Sequence, residues 1–289
     1  MSFTIMTDST ANLPQKMIER EQIAVLSLTF HVDGCEYEGN PETSGVASET
    51  IYQWLEEKKT IGTSMVNMDT AYGSACRILE RGEDLLYIGL ASHLSGTYQA
   101  VSLALEELQE KFPERTICMV DSQAASFGEG LLVKFAADLR RKGKSIEQVY
   151  RWCMKNRFHI CHEFTVGDLF YLKRGGRISS TTAVIGTALH VKPVLYMNEE
   201  GQVLQVGKVR GRKKAIDLLI SRMKERAIDP EKHTVCISHS GCLKDAEYLA
   251  AKIQETFGTK HVMISVLDPV IGVHAGPGAL ALFYYGNRQ

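Results

Sequence analysis

The sequence predicts an α/β protein of two domains. The first, residues 1–155, is built on a mostly parallel sheet, and the second, residues 156–289, is a further α/β unit. Three observations predict this. Short apolar runs alternate with amphipathic stretches from residue 3 to residue 143, the pattern of a parallel sheet covered on both faces. That rhythm changes near residue 155, where aromatic residues crowd together. The apolar fraction of 44% and charged fraction of 23% suit a globular chain with a sizeable core.

The elements follow in order. "FTIMTD" (3–8) reads as a buried strand, and "STANLPQKMIERE" as a turn and a helix. "IAVLSLTFHVDG" (23–34) is apolar enough for one long strand. A helix starting at Thr43 or Ser44 runs through "ASETIYQWLEE". "DLLYIGLAS" (84–92) is another buried strand. The next helix, 96–112, carries Val101, Leu105, Leu108 and Phe112 on one stripe. "TICMVDS" (116–122) is a strand, and 127–143 a helix closed by glycine. After the break come a glycine turn at "KRGGR", a short helix within 180–191, and a hairpin turning at Glu200 and Gly201. A helix at "KKAIDLLISRMKERA", a strand at 233–241, a helix and a strand complete the pattern. "GALALFYY" suits a strand or a buried helix equally.

Bulk properties exclude some classes. A formal net charge of −1 supplies no positive field for nucleic acid. The seven cysteines include no C-x-x-C pair and are odd in number, which fits a reducing compartment. The start "MSFTIMTDST" lacks a basic flank and a long apolar run, so no signal peptide is expected, and the expected location is the cytoplasm. No phosphate loop of the GxxxxGK type occurs.

In open parallel sheets, the loops after strand ends line the ligand crevice. Here "TDSTANLP", "GTSMVNMDT", "ASHLSGTYQ" and "DSQAASFGEG" are rich in small hydroxyl residues. Thr63 and Ser64 stand before a segment that could open a helix, where free N–H groups and hydroxyls hold anions. A simple N-cap explains them equally. Ser95 could donate to a carboxylate or act as a nucleophile, but "SHLSG" is not the GxSxG elbow. Asp8 and Asp121 each end a strand and could share a magnesium ion or cap loops. "CHE" (161–163) has no metal-ligand spacing, because neighbours on a strand point apart. The turn at "LKRGGRISS" could meet a phosphoryl group or an acidic partner, or simply lead into the next helix. His274, within "GVHAGPG", could be a residue of a glycine turn, a catalytic base or one of several groups that hold something acidic.

Taken together, "TDSTANLP", "GTS", "SHLSGTYQ", "VDSQAASFGEG", "LKRGGRIS", "KPVL" and "GVHAGPGAL" resemble the DegV family over essentially the whole chain and in the family's order. The resemblance implies a two-domain DegV-like α/β fold that buries a long-chain fatty acid. It implies no cofactor. In kinase-linked members an ATP-dependent kinase subunit phosphorylates the carboxylate, and the acyl phosphate enters phospholipid synthesis. The implied partners are the fatty acid, that kinase, and transiently a membrane or acyltransferase. Residue by residue, the carboxylate clamp falls on Thr63 with Ser64 beside it, on Ser95, and on His274. The basic turn linked with the kinase or the phosphoryl group falls on Arg174, then Arg177. Many relatives have "TSQPS" where this chain has "TSMVN", which leaves the local helix start open.

The chemistry agrees with that implication. A carboxylate in a low-dielectric site must be hydrogen-bonded or paired, and hydroxyls with an imidazole can do this. Each buried methylene contributes about 0.8 kcal/mol, so the tail would supply much of the affinity. Candidates for the tunnel wall are Phe164, Phe170, Leu172, Ile178, Ile185, Leu189, Val194, Leu267 and Ile271, all equally plausible as plain core. The segment "STTAVIGTALHV" is the candidate lid. A kinase-docking monomer, a stand-alone lipid carrier and a serine hydrolase remain open at this point.

Overall fold

The computed structural model describes residues 2–40, 43–179 and 191–289. Ile185, Leu189, most of the candidate lid and the helix expected there lie outside the described residues. The chain opens with β1 (Phe3–Asp8), α1 (Gln15–Glu21) and β2 (Ala24–Leu26). It continues through β3 (Thr29–Val32), β4 (Cys35–Glu38), α2 (Ser48–Glu56) and β5 (Ile61–Ser64). Next come α3 (Met68–Glu80), β6 (Asp84–Gly89), α4 (Thr97–Lys111), β7 (Ile117–Asp121), α5 (Phe127–Arg141) and α6 (Ile146–Asn156). Then follow β8 (Ile160–Thr165), α7 (Phe170–Arg174), β9 (Val191–Met197), β10 (Val203–Arg210) and α8 (Arg212–Arg226). The last elements are β11 (Val235–His239), α9 (Leu243–Phe257), β12 (Val262–Val266), α10 (Pro269–Ala275) and β13 (Leu280–Tyr285).

A four-stranded parallel sheet, ordered β2-β1-β6-β7, forms the first layer. Both of its faces are covered, so β1 and β6 are buried along their whole length. Phe3, Ile5, Leu86 and Ile88 face α5 and α6, whereas Met6, Leu85 and Tyr87 face α3 and α4. A six-stranded mixed sheet, ordered β10-β9-β8-β13-β11-β12, forms the second, and only its β11–β12 pair is parallel. One face of this sheet packs on α8 and α9 through Cys161, Val194, Ile237 and Leu282. Its opposite face looks toward the first layer. A three-stranded antiparallel sheet, β4-β3-β5, packs with α2 and α10 around Phe30, Tyr52, Leu55 and Val273.

Several local expectations change. The apolar run 23–34 is two strands in two sheets, β2 and β3. The break falls at Leu28, whose N–H meets Ser9 Oγ at 3.2 Å and whose carbonyl accepts from Gly39 at 2.7 Å. The helix expected from Thr43 or Ser44 begins at Ser48. "GALALFYY" is a strand, placed inside the six-stranded sheet between β8 and β11.

Three fully buried carboxylic groups, Asp8, Glu129 and Asp268, lie where these layers meet. Thr7 donates to Glu129 Oε1 at 2.8 Å, and the Thr10 hydroxyl sits 2.5 Å from Asp8 Oδ1 and 3.0 Å from Glu129 Oε2. Burial pushes Asp8 up, and burial followed by mutual repulsion holds Glu129 and Asp268 well above the usual carboxylate range. A group whose folded-state pKa is raised binds more protons folded than unfolded. Its stabilising contribution is therefore full below the ordinary carboxylate pKa and is lost as pH rises through the folded value. Glu129→Gln is expected to flatten the melting temperature against pH on the side toward neutrality. It should also raise the neutral-pH value by about 2–4 °C for each kcal/mol recovered. Melting curves across pH check this; an equal drop at every pH would contradict it.

Candidate functional site

The site is organised by α10. Asp268 caps it, its Oδ1 accepting from Val270 N–H at 2.8 Å and Ile271 N–H at 3.1 Å, with Pro269 opening the helix. Asn12 from the first loop fixes the approach: its Oδ1 accepts from Asp268 N–H at 2.5 Å and its Nδ2 donates to Val266 O at 3.1 Å. Gly276 ends the helix at φ 77°, and a Cβ there would strike the Tyr171 ring. His274 thus sits in the last turn of a short helix, not in the glycine turn that the sequence suggested. The local glycines and Pro277 hide the helix because Asp268 and Asn12, not intrinsic propensity, hold it.

His274 meets Thr63 at the end of β5, with Nε2 and Oγ1 2.8 Å apart. Gly175 packs against the other ring nitrogen; a Cβ there would lie 2.3 Å from Nδ1. Burial, then the Arg177 and Arg174 guanidinium groups, push the imidazole down to about 4, so it is neutral near pH 7. Ser95 Oγ lies 2.9 Å from Thr97 Oγ1 and accepts from Thr97 N–H at 3.2 Å. No hydrogen bond joins Ser95 to a histidine among the described residues, so the pairing that a serine nucleophile needs is not formed. Arg177 donates from Nε to Leu94 O at 3.0 Å and from a terminal nitrogen to Gly175 O.

Thr63, Ser64, Ser95, Arg177 and His274 all line one cavity of about 310 Å³ between the two main sheets. Arg174 does not line it. This side chain is exposed at the same end, its guanidinium 5.7 Å from the Phe170 ring centroid and 5.5 Å from that of Tyr171. Of the tunnel-wall candidates, Phe164, Leu172, Leu267 and Ile271 line the cavity. Three others do not. Phe170 is 56% exposed, Val194 faces α8 and α9, and Ile178 is buried in the adjoining core. The sequence marked these as apolar, but the face that Val194 takes on β9 depends on register, and Phe170 on α7 and Ile178 in the turn after it lie on no strand. Residues not anticipated as lining include Met65, Leu90, Met197, Val203 and Phe283, together with Ser126, His162 and Ser238. Met197, Val203, Phe283, His162 and Ser238 come from five different strands, and Met65, Leu90 and Ser126 from the segments that follow or precede other elements, so no single linear motif gathers them.

"TSMVN" is also accounted for. Thr63 and Ser64 end β5, and the segment after them opens a helix, α3, at Met68. Val66 is fully buried, and Asn67 supplies the helix cap, accepting from Asp69 N–H at 2.8 Å and Thr70 N–H at 3.2 Å. Met65, 54% exposed, stands at the cavity mouth, its sulfur against Gly96. The two strand-ending acids are occupied by backbone: Asp8 accepts from Thr10 and Leu90 N–H groups, and Asp121 from Ser92 and Gln123 N–H groups.

Fold and site together define a class: an α/β protein with a mostly apolar cavity that carries hydroxyl, imidazole and guanidinium groups at one end. The family model "Uncharacterised protein, DegV family" matches residues 2–287, and the chain belongs to the DegV family. A DegV domain-containing protein of Clostridium perfringens is 41% identical over 99% of this chain and 98% of its own. The structure resembles that of a DegV family protein from Thermus thermophilus described as fatty acid binding. That match has a TM-score of 0.88 and 30% identity, covering 99% of this chain and 100% of the other. A Thermotoga maritima protein described as having fatty acid binding function aligns with a TM-score of 0.82 and 26% identity over 98% of both chains.

Proposed function

We propose that this protein binds a long-chain fatty acid. The acyl chain lies in the cavity and the carboxylate at the end formed by Thr63, Ser95, His274 and Arg177, with Ser64 beside them. One observation carries the reading: a largely apolar cavity of about 310 Å³ is lined by Thr63, Ser95, Arg177 and His274, with Thr63 Oγ1 and His274 Nε2 2.8 Å apart. Such a pocket, apolar with a few convergent polar groups, is the usual form of a small-molecule site. The fatty acid binding described for the Thermus and Thermotoga relatives supports it.

In this reading the domains are residues 1–155 and 156–289, and the ligand lies between them. The bound carboxylate is presented to an ATP-dependent kinase. Transfer of the γ-phosphoryl group to a carboxylate oxygen yields acyl phosphate and ADP. The exposed Arg174, near enough to His274 to depress its pKa, would meet the partner or the incoming phosphoryl group. A membrane or acyltransferase would receive the product.

Mass spectrometry of denatured purified protein is expected to reveal retained long-chain fatty acid. Empty protein that also takes up none when titrated would overturn the reading. Binding should also be linked to protons. A carboxylate beside His274 raises the imidazole pKa from about 4, so binding takes up protons and affinity gains as pH falls toward that value. Calorimetry in buffers of different ionisation enthalpy measures the uptake, which His274→Gln should abolish. Mixing with the partner kinase and ATP tests the second half: acyl phosphate should form only with both proteins present.

A further inference from the structure

We propose that the cavity contains a second polar subsite, formed by Ser126, Ser238 and His162, that accepts a hydroxyl group borne on the acyl chain of the ligand. The inference rests on the fatty acid reading and refines its substrate class. All three residues line the same cavity as His274, and all are buried, at 3%, 0% and 3% exposure. They share that stretch of wall with Ala125, Ala281 and Phe283. Polar groups in such a setting are costly unless they are fully hydrogen-bonded.

Among the described residues the hydrogen-bond count is incomplete. Ser126 Oγ and Ser238 Oγ lie 3.0 Å apart, so one donates to the other and the second hydroxyl keeps a proton to give. His162 Nδ1 is 3.0 Å from Ile160 O; a carbonyl only accepts, so Nδ1 carries the proton and Nε2 is an acceptor. Among the described residues Nε2 receives only the long, 3.5 Å approach of Ala125 N–H. The wall therefore offers a spare donor and an under-used acceptor. An alcohol both donates and accepts, which matches this pair; a methylene does neither. The layout follows from the sheet. His162 and Phe164 on β8 alternate onto the cavity face, while Ala281 is paired with both Phe164 and Ser238. Ser126, at the start of α5, closes over Ser238 from the opposite layer. Gly128 leaves room for the imidazole, since a Cβ there would lie 1.8 Å from Nε2.

The test compares stearic acid with a positional series of monohydroxystearic acids, in wild type, Ser126→Ala and Ser238→Ala. At least one isomer is expected to bind wild type as tightly as stearic acid or more tightly. In either variant that isomer should weaken about tenfold relative to stearic acid. A structure of wild type with that isomer should show the hydroxyl bonded to Ser126, Ser238 or His162, a readout that needs no variant to fold. If every isomer binds more weakly than stearic acid, by a factor that the variants do not change, the subsite is wrong and the fatty acid reading stands. A hydroxyl seated elsewhere in the cavity also overturns it. If stearic acid itself fails to bind, both readings fall.

Discussion

Replacing His274 with alanine is expected to weaken long-chain fatty acid binding about ten- to a hundredfold. The imidazole is half-buried, neutral near pH 7, and in contact with Thr63 Oγ1 at 2.8 Å. A hydrogen bond to a charged group is worth about 1.5–3 kcal/mol, and deletion leaves the carboxylate with poorer partners in a low-dielectric pocket. Thr63→Val is the sharper companion, because it keeps the shape of the side chain and removes only the hydroxyl. It should cost a comparable factor, and the double variant should fall short of the summed effect because the two groups share one hydrogen bond. Phe170→Ala, at an exposed position away from the cavity, should leave affinity unchanged. Direct titration with stearic acid measures all four. Unchanged affinity in both His274→Ala and Thr63→Val would remove them from the carboxylate site.

Arg222→Ala is expected to destabilise the protein by about 3–5 kcal/mol, the cost of leaving a buried charge without its partner. Glu163 projects from β8 away from the cavity, and Arg222 Nε on α8 donates to its Oε2 at 2.5 Å. Their side chains are 3% and 7% exposed. Arg226 is the nearest substitute, but its Nε stands 3.9 Å from Oε1. Burial pushes Glu163 up even with Arg222 present, so removing the arginine leaves the carboxyl a choice between protonation and strain. Denaturant unfolding checks the loss. Combining Arg222→Met with Glu163→Gln should restore much of it, since a buried pair replaced whole is often neutral. A loss under about 1 kcal/mol in the single variant would show that solvent reaches Glu163.

The strands and helices of the parallel layer were legible because burial on both faces writes continuous apolar runs, as in "DLLYIG", and amphipathic stripes, as in Val101, Leu105 and Leu108. The split between β2 and β3 was not legible, because it depends on Ser9 and Gly39, residues outside the run. The polar end of the site was legible as motifs: Thr63, Ser95 and His274 do line one cavity, and Thr63 and His274 touch. The apolar wall was legible only in part. Phe164 and Val194 look alike in the sequence, yet one lines the cavity and the other packs on α8 and α9. The polar group of Ser126, Ser238 and His162 was not legible as a group: Ser126 lies in the "DSQAASFGEG" loop, but Ser238 and His162 join it only through the register of the six-stranded sheet.

The tie between Asn12 and Asp268 spans 256 positions of sequence. The helix that bears His274 is seated by a side chain near one end of the chain, and β13, near the other, fills the middle of the six-stranded sheet. Contacts this distant form late and slowly. While the chain is being made, the first parallel sheet can close, but β8 and β11 expose unpaired edges until residue 285 has emerged. A nascent chain therefore has a half-built wall and lacks the helix that bears His274. The cavity would be offered only by finished molecules, and any stalled chain would present open sheet edges to chaperones and proteases.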